Sequence, residues 1–185
     1  MKLAIFDMDG TLFNTNDVNY YSYKEALASV GVEIDYEYYC SFCNGRHYKV
    51  FVPQLVNNDE EKIEIVHNLK KELYKKNLDK VVVNKHLFEI IKGLKNKYKL
   101  AVVTTASKKN TQEILEFTDT QKYFDLILTS NDITKQKPDP EGFLLAMKNF
   151  NAKAEETLIF EDSDVGLEAA KKTGATVFKV EEFKD

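Results

Sequence analysis

The sequence predicts an α/β fold in which a parallel sheet is flanked by helices and a small helical domain is inserted near the amino terminus. Three observations support this class. Five short apolar runs, rich in β-branched residues, are continuous rather than alternating, which is typical of strands covered on both faces. Helical patterns separate the later runs. About 65 mostly helical residues follow the first run and delay the second.

The predicted core elements alternate along the chain from residue 84 onward. The strands are predicted at 3–6, 100–104, 126–130, 157–160 and 175–180, and the helices at 84–97, 107–117, 141–150 and 164–173. Gly174 suits a helix stop. Asp139, Pro140 and Glu141 read as a helix cap, a first-turn proline and a first-turn acid. Asp164 is expected to cap the last helix. The β-α-β alternation favours a Rossmann-like core.

The domain boundaries follow from the insertion. Residues 1–14 and 81–185 are expected to form the Rossmann-like core, and residues 15–80 a helical cap. Eight of the 10 tyrosines fall in this cap segment. We interpret them mainly as the aromatic core of a small bundle, while a few of them lining a substrate cleft is the functional alternative.

Composition excludes several classes of protein. Of the 185 residues, 43% are hydrophobic, which excludes a disordered chain. The net charge is −4, so the chain lacks the excess of basic residues that is typical of a nucleic-acid binder. The longest apolar run, 143–147, is too short to span a membrane, and no signal peptide is recognisable. With only Cys40 and Cys43 there is no disulfide framework, so we expect two reduced cysteines in a cytoplasmic protein. The expected partner is a small molecule, and we favour a monomer.

Polar residues close the predicted strands. In an open parallel sheet the carboxyl ends of the strands meet at one edge, where ligands bind. The residues at these ends are Asp7, Asp9, Gly10 and Thr11 after the first strand, Thr104 after the second, Lys137 after the third, and Glu161 and Asp162 at the fourth. Several carboxylates in one crevice repel one another unless a cation resolves the conflict. Oxygen ligands of this kind suit Mg²⁺.

These residues, taken in order, resemble the haloacid dehalogenase superfamily. The chain is similar to its phosphatase branch with a helical cap after the first strand, which includes β-phosphoglucomutase-like and phosphoglycolate-phosphatase-like members. The resemblance covers nearly the whole chain. It is carried by DMDGT at 7–11, the strand-ending Thr104, Lys137 in KPDP, and FEDSDVG at 160–166.

The resemblance implies a role for each position. Asp7 is implied to be the nucleophile that becomes an aspartyl phosphate, and Asp9 the general acid and base. Lys137 and Mg²⁺ supply positive charge against the repulsion between carboxylate and phosphate. The implied metal ligands are the Asp7 carboxylate, the Asp9 backbone carbonyl and the Asp162 carboxylate, with Glu161 acting mainly through water. Gly10 permits a tight turn at the phosphate. Thr11 and Thr104 are expected to donate to phosphate oxygens or to Asp9.

Some of these assignments have neighbouring competitors. Thr105 competes with Thr104 as the hydroxyl and is kept as a substrate-binding candidate; we favour Thr104 because it directly follows the apolar run. Lys135 competes with Lys137, and the flanking prolines favour Lys137.

Three further features lie in the predicted cap. Cys40 and Cys43 have CxxC spacing but no second pair, so packing is the favoured interpretation. The histidines His47, His67 and His86 show no ligand spacing. Arg46 is the only arginine among 26 basic residues. Its planar guanidinium is suited to bidentate contacts with phosphate or carboxylate, and a substrate-facing role competes with a structural ion pair.

The predicted function is a Mg²⁺-dependent phosphomonoester hydrolase that acts on a small phosphorylated metabolite through an aspartyl phosphate. A β-phosphoglucomutase-like mutase is the first alternative, disfavoured because Tyr20 falls where those mutases carry a hinge histidine. A dehalogenase lacks the acid at the Asp9 position. A receiver-like phospho-acceptor places its aspartate after a later strand, and a non-catalytic phosphate binder has little need of Asp9. Sugar phosphates, phosphoglycolate, nucleotides and pyrophosphate all fit as substrates.

Overall fold

The computed structural model describes residues 1–44, 46 and 48–183. His47, one of the three histidines considered above, and the last two residues of the predicted core lie outside the described residues. The chain divides into two compact units. Residues 1–14 and those from Val82 onward form the core unit, and Thr15–Val81 form the insertion unit.

A five-stranded parallel sheet is the centre of the core unit, as the sequence predicts. From one edge to the other, its strands are β5 (Leu126–Leu128), β4 (Lys99–Val103), β1 (Leu3–Phe6), β6 (Thr157–Glu161) and β7 (Thr176–Lys179). β1 pairs with β4 from Leu3↔Lys99 to Phe6↔Val102, and with β6 from Leu3↔Thr157 to Phe6↔Phe160. Every side chain of β1 is buried. The continuous apolar run is therefore explained by its central position between two layers of helices.

The α-helices that the structure describes in the core unit are α5 (Lys85–Leu94), α6 (Lys108–Phe117), α7 (Glu141–Asn149) and α8 (Asp164–Lys171). One face of the sheet packs against Phe143, Ala146 and Met147 of α7 and against Ala169 and Ala170 of α8. The other face carries a stack of aromatic rings, with Phe6, Phe160 and Phe178 side by side at centroid distances of 4.8 and 5.0 Å. Equal register across β1, β6 and β7 aligns these three rings.

Two expected helix caps are corrected by the structure. Asp139 is not at the capping position of α7, because that position is taken by Pro140 and the helix begins at Glu141. The Asp139 carboxylate still accepts from the Glu141 N–H at 3.0 Å. Asp164 is the first residue of α8 rather than its cap, since the Ser163 hydroxyl accepts from the Gly166 N–H at 3.1 Å. The free backbone N–H at the start of α8 is thus satisfied by the Ser163 hydroxyl instead of the Asp164 carboxylate.

A short antiparallel ribbon joins the two chain segments that enter and leave the core unit. It consists of β2 (Phe13–Asn14) and β3 (Val82–Val83), with Phe13 opposite Val83. Asn84 follows β3 and caps α5 by accepting from the Leu87 N–H at 3.1 Å. Its own amide donates to the Thr11 carbonyl at 3.1 Å. Asn84 thus connects the loop after β1 to the start of α5.

The insertion unit is helical. Its α-helices are α1 (Asn16–Ala28), α2 (Tyr36–Tyr38), α3 (Tyr48–Leu55) and α4 (Glu60–Lys76), with a π-helical turn at Tyr39–Cys43 and a 3₁₀ turn at Leu78–Lys80. Tyr20, Tyr39 and Tyr74 are buried, while Tyr21, Tyr36 and Tyr38 are exposed. The aromatic core predicted from composition therefore includes only some of the tyrosines. Cys40 is exposed, Cys43 is buried, and both thiols are free. Within the described residues, no helix combines the length and apolarity needed to cross a membrane.

Candidate active site

The carboxyl ends of β1, β4 and β6 create the candidate site. β1 ends at Phe6, and Asp7 follows with its N–H donating to the Phe160 carbonyl at 3.0 Å. This bond continues the β1–β6 ladder, so Asp7 lies beside the end of β6, where Glu161 and Asp162 stand. β4 ends at Val103, directly before Thr104. Parallel pairing therefore gathers residues that are far apart in sequence at one sheet edge.

Lys137 lies between two buried carboxylates. Its ammonium contacts Asp7 Oδ1 and, at 2.6 Å, Glu161 Oε2. The side chains of Lys137 and Asp7 are each 8% exposed, and that of Glu161 is fully buried. Burial alone lowers the pKa of Lys137, but Asp7 and Glu161 together outweigh it and raise the pKa above its usual value. The lysine therefore keeps its positive charge inside the site.

Burial lowers the pKa of a lysine but raises the pKa of a carboxyl group such as that of Asp7. It is the largest influence on this carboxyl group and raises its pKa well above the usual value, with Glu161 and Asp162 acting in the same direction. Lys137 opposes this shift without cancelling it. Asp7 is therefore held in surroundings that disfavour its charge, and added positive charge would stabilise the carboxylate form.

The Glu161 carboxylate is fixed by its own turn. Its Oε1 accepts from the Ser163 hydroxyl at 2.8 Å and from the backbone N–H groups of Ser163 and Asp162 at 3.0 and 3.2 Å. Gly166 lies so close that an added Cβ would be 2.1 Å from Glu161 Cδ. No role was predicted from the sequence for Ser163 or Gly166. Their place in the DSDVG segment was the available signal, but nothing in the sequence tied them to Glu161.

Asp162 is positioned by the loop that follows β1. The Thr11 hydroxyl donates to Asp162 Oδ1 at 2.8 Å, and Thr11 is fully buried. Gly10 has φ +86°, and an added Cβ would be 2.1 Å from Asp162 Oδ2. Burial, followed by the nearby Glu161 charge, raises the pKa of Asp162 to about 6. The expectation that Thr11 donates to phosphate or to Asp9 differs from this arrangement, in which its hydroxyl donates to Asp162.

The remaining candidates of the core unit occupy distinct environments. Asp9 is half-buried in the turn after β1 and pairs through its backbone with Phe13. Thr104 is buried, and its hydroxyl accepts from the Ala106 N–H at 3.0 Å. Thr105, the next residue, is exposed. Lys135, the competitor of Lys137, has a side chain that is 72% exposed. The structure therefore brings Lys137, and not Lys135, to Asp7.

Arg46 belongs to the insertion unit. It is exposed, and its guanidinium lies over the Phe42 ring at 4.5 Å from the ring centroid. Its backbone N–H donates to the Cys43 carbonyl at 3.1 Å. The attraction between the positive charge and the ring face helps to hold the guanidinium at Phe42.

The carboxylates of the site fit a hard divalent cation. Asp7, Glu161 and Asp162 each offer one oxygen, and these oxygens lie within 4.8 Å of one another. Carboxylate oxygens are the ligands that Mg²⁺ prefers. The raised pKa values of Asp7 and Asp162 point the same way, because their burial leaves negative charge that Lys137 does not fully offset. The donor set and its charge are therefore compatible with a bound Mg²⁺.

The chain is similar to known hydrolases over nearly its full length. The family model described as "Haloacid dehalogenase-like hydrolase" matches residues 4–180. A phosphorylated carbohydrates phosphatase of Thermotoga maritima is 30% identical over 180 residues, which cover 94% of this chain and 82% of the relative. The pyrophosphatase PpaX of Bacillus cereus is 29% identical over 186 residues, which cover 95% of this chain and 82% of the relative.

Solved structures share the fold. The crystal structure of CbbY from Rhodobacter sphaeroides in complex with phosphate matches with a TM-score of 0.83 and 26% sequence identity. The match covers 99% of this chain and 88% of that chain. The fold class inferred from the sequence is confirmed.

Proposed function

The chain belongs to the haloacid dehalogenase-like hydrolase family and is a phosphatase, and from this premise we propose that it hydrolyses phosphomonoesters of small metabolites through an aspartyl phosphate, with Mg²⁺ as cofactor. The observation that carries the proposal is the buried contact of Lys137 with Asp7 and Glu161 beside Asp162. Such a concentration of charge costs folding free energy, and it is explained when an anionic substrate must be attacked by an anionic nucleophile.

Asp7 is the proposed nucleophile. Two unit charges of the same sign at 4 Å repel by about 4 kcal/mol at an effective dielectric constant of 20. The Lys137 ammonium, held directly at Asp7 Oδ1, reduces this repulsion as the carboxylate approaches phosphorus. The Asp7 oxygen forms a bond to phosphorus while the bond from phosphorus to the ester oxygen breaks, which leaves an acyl phosphate on Asp7.

Asp9 is the proposed general acid and base. In the first step its protonated carboxyl gives its proton to the departing ester oxygen. In the second step the carboxylate accepts a proton from the water that attacks phosphorus, and Asp7 is released with inorganic phosphate. Asp9 follows Asp7 by two residues and is half-buried in the turn after β1.

The residues that would hold Mg²⁺ are the Asp7 and Asp162 carboxylates and the Asp9 backbone carbonyl. When bound, the cation offsets negative charge on the transferred phosphoryl group. Thr11 supports this set by holding Asp162 in place. Glu161 acts indirectly, since its oxygens are used by Lys137 and by the turn at Ser163. Gly10, Thr104 and Thr105 are proposed to contact the phosphate, with Thr104 as the principal hydroxyl.

Substrate recognition beyond the phosphate is proposed to reside in the insertion unit, as a cap. The core-unit site contains the groups needed to cleave any phosphate ester, so it has little means of distinguishing one leaving group from another. We assign Arg46 to the non-reacting part of the substrate, because its exposed guanidinium, which lies over the Phe42 ring, suits a second anionic group. The names of the relatives support phosphorylated sugars and pyrophosphate as the first substrates to test.

The position of Tyr20 disfavours the mutase alternative. Tyr20, which falls where the sugar-phosphate mutases carry a hinge histidine, is 6% exposed and packs in the core of the insertion unit. Its ring has edge-to-face contacts with Tyr21 and Tyr36 at 5.0 and 4.9 Å. A phenol ring packed among other aromatic rings does not replace the imidazole of a histidine at this position.

The free cysteines support a reducing compartment as the place of action. Cys40 and Cys43 have the spacing of a redox pair, yet both are free thiols and Cys43 is packed in the core of the insertion unit. We therefore propose a cytoplasmic location.

The proposed function is tested by a phosphatase screen of the purified protein against sugar phosphates, phosphoglycolate, nucleotides and pyrophosphate. Release of inorganic phosphate is measured with Mg²⁺ and after chelation with EDTA. We expect Mg²⁺-dependent release from at least one substrate class. Sugar phosphate products are also examined by ³¹P NMR, because conversion of one sugar phosphate into its isomer without net phosphate release would show a mutase. Activity that persists in EDTA would contradict the proposed cofactor.

A further inference from the structure

Lys137 lies in an irregular segment of the core unit. Residues 129–140, all of which the structure describes, connect β5 to α7 and contain no helix or strand. A backbone without a regular ladder of hydrogen bonds must be held by other contacts. The position of the Lys137 ammonium between Asp7 and Glu161 therefore depends on what fixes this segment.

The Glu141 carboxylate supplies such contacts. Its Oε1 accepts from the Thr134 N–H at 2.9 Å, and its Oε2 accepts from the Lys135 N–H at 2.7 Å. The Thr134 hydroxyl lies 3.1 and 2.9 Å from the same two oxygens. Hydrogen bonds to an ionised acceptor are stronger than those between neutral groups. Consistent with this, the Thr134 backbone N–H is the leading cause of a lowered Glu141 pKa.

These contacts close a ring around Lys137. On one side of Lys137, the Glu141 carboxylate accepts from the N–H groups of Thr134 and Lys135. On the other side, the Glu141 N–H donates to Asp139 Oδ1 at 3.0 Å. Inside the ring, the Asp139 N–H donates to the Gln136 carbonyl at 3.0 Å. The backbone on both sides of Lys137 is therefore held by the same residue, Glu141.

The ring is itself fixed to the sheet. Gly142, the residue after Glu141, lies so close to β4 that an added Cβ would be 2.8 Å from Val103 Cγ1. Val103 is the last residue of β4 and directly precedes Thr104. The start of α7 is thus packed against the strand that carries the candidate phosphate-binding threonine.

We propose that Glu141 is a positioning residue for Lys137. It holds residues 134–141 as a closed ring, anchored on β4, so that the ammonium stays at Asp7 and Glu161. The inference rests on the proposed function, in which Lys137 reduces the charge repulsion at Asp7. Glu141 contacts neither Asp7 nor the reacting atoms, and its influence on turnover passes entirely through the lysine.

The position of Lys137 is measured without any substrate by labelling with an amine-reactive ester and quantifying the Lys137 peptide by mass spectrometry. Glu141→Gln keeps the side-chain length but presents an amide NH₂ to backbone donors. The matched control is Glu60→Gln, which removes an exposed first-turn glutamate from α4. We expect faster labelling of Lys137 in Glu141→Gln and the wild-type rate in Glu60→Gln. Unchanged labelling in folded Glu141→Gln would overturn the proposal.

Kinetics give the second readout. A misplacement of about 1 Å can cost up to about 100-fold in rate, so we expect Glu141→Gln to lower kcat by about 10- to 100-fold with KM changed much less. Glu60→Gln should leave both constants unchanged. Thr134→Val removes only the hydroxyl contacts and should show a smaller change in the same direction, which provides the test if Glu141→Gln does not fold.

Melting temperatures separate positioning from general stability. A purely structural role predicts a lower Tm with unchanged Lys137 labelling at temperatures far below it, and this result would overturn the inference. If the wild-type protein hydrolyses no phosphate ester, the proposed function fails, while the labelling rates still decide whether Glu141 controls the position of Lys137.

Discussion

Gly166 packs directly against the Glu161 carboxyl group, where an added Cβ would be 2.1 Å from Glu161 Cδ. The first turn of α8 can approach the end of β6 only because this position has no side chain. The space so created holds a fully buried carboxylate that binds Lys137 at 2.6 Å. Gly166 takes no part in the reaction, yet its lack of a side chain determines where the Glu161 carboxylate and the Lys137 ammonium lie.

We expect Gly166→Ala to displace Glu161 and with it Lys137. Overpacking typically costs about 1–3 kcal/mol of stability, and loss of the Lys137 position should reduce kcat/KM by at least about tenfold. The matched control is Gly93→Ala on α5, because an added Cβ there meets no described atom within 4 Å. The control should be neutral or stabilising by up to about 1 kcal/mol. Urea unfolding and steady-state kinetics measure both quantities. Wild-type activity in Gly166→Ala would show that Glu161 can move without consequence.

Asp7→Asn should abolish turnover while leaving the fold intact. The amide has nearly the shape of the carboxyl group but lacks its charge and nucleophilicity. Lys137 keeps its contact with Glu161 in this variant, and a neutral amide costs less free energy to bury than a carboxylate. We therefore expect Tm to change little. Phosphate release and thermal unfolding are measured on the same preparation. Substantial Mg²⁺-dependent activity in the variant would exclude Asp7 as the nucleophile.

Asp9→Asn should slow both halves of the reaction, because one carboxyl serves the leaving group and the attacking water. General acid–base groups typically contribute about 10²- to 10⁴-fold. An aryl phosphate with an activated leaving group needs no proton in the first half, so phosphoenzyme should accumulate with that substrate. Rapid-quench kinetics would detect it. A wild-type rate on an unactivated alkyl phosphate is incompatible with this role.

Arg46→Lys and Arg46→Ala should each reduce kcat/KM by at least about tenfold, roughly 1.4 kcal/mol, on a substrate with a second anionic group. The lysine variant keeps the charge but loses the planar fork that lies over the Phe42 ring. Both variants should have a much smaller effect on a minimal aryl phosphate. Equal small effects on both substrates, together with a lower Tm, would instead indicate a structural residue.

The stability of the loop after β5 should depend on pH through Asp132. Its carboxylate accepts from the Thr129 hydroxyl at 2.7 Å and from the Thr129 N–H at 2.9 Å, and these bonds lower its pKa. A lowered folded-state pKa gives stability that is present above the unfolded pKa, about 3.9, and is lost as pH falls through the folded value. The Tm advantage of wild type over Asp132→Asn should therefore be present at pH 7 and shrink in acid.

The control for this pH dependence is Glu64→Gln, which removes an exposed carboxylate from α4. Its Tm difference from wild type should change much less across the same pH range. If the Tm difference between wild type and Asp132→Asn stayed constant down to strongly acid pH, the Thr129 contacts would not depend on the charge of Asp132.

The sequence was sufficient to identify the sheet and the edge at which the polar residues meet. Continuous apolar runs such as Leu3–Phe6 identify buried parallel strands, and parallel strands bring their carboxyl ends to one edge. The presence of Asp7, Lys137 and Asp162 in one region therefore followed from their positions after the strands. The order of the motifs was also sufficient to recognise the family, which the match over residues 4–180 confirms.

Which atoms contact one another was decided only by the tertiary structure. Thr11 donates to Asp162 across 151 positions of sequence, Glu161 depends on the space at Gly166, and Glu141 binds backbone N–H groups six and seven residues earlier. Sequence patterns encode burial and periodicity, whereas each of these contacts depends on the direction of a side chain after helices and strands have packed. A hydroxyl or carboxylate has several possible partners in a chain, and only the packed positions of the elements select one of them.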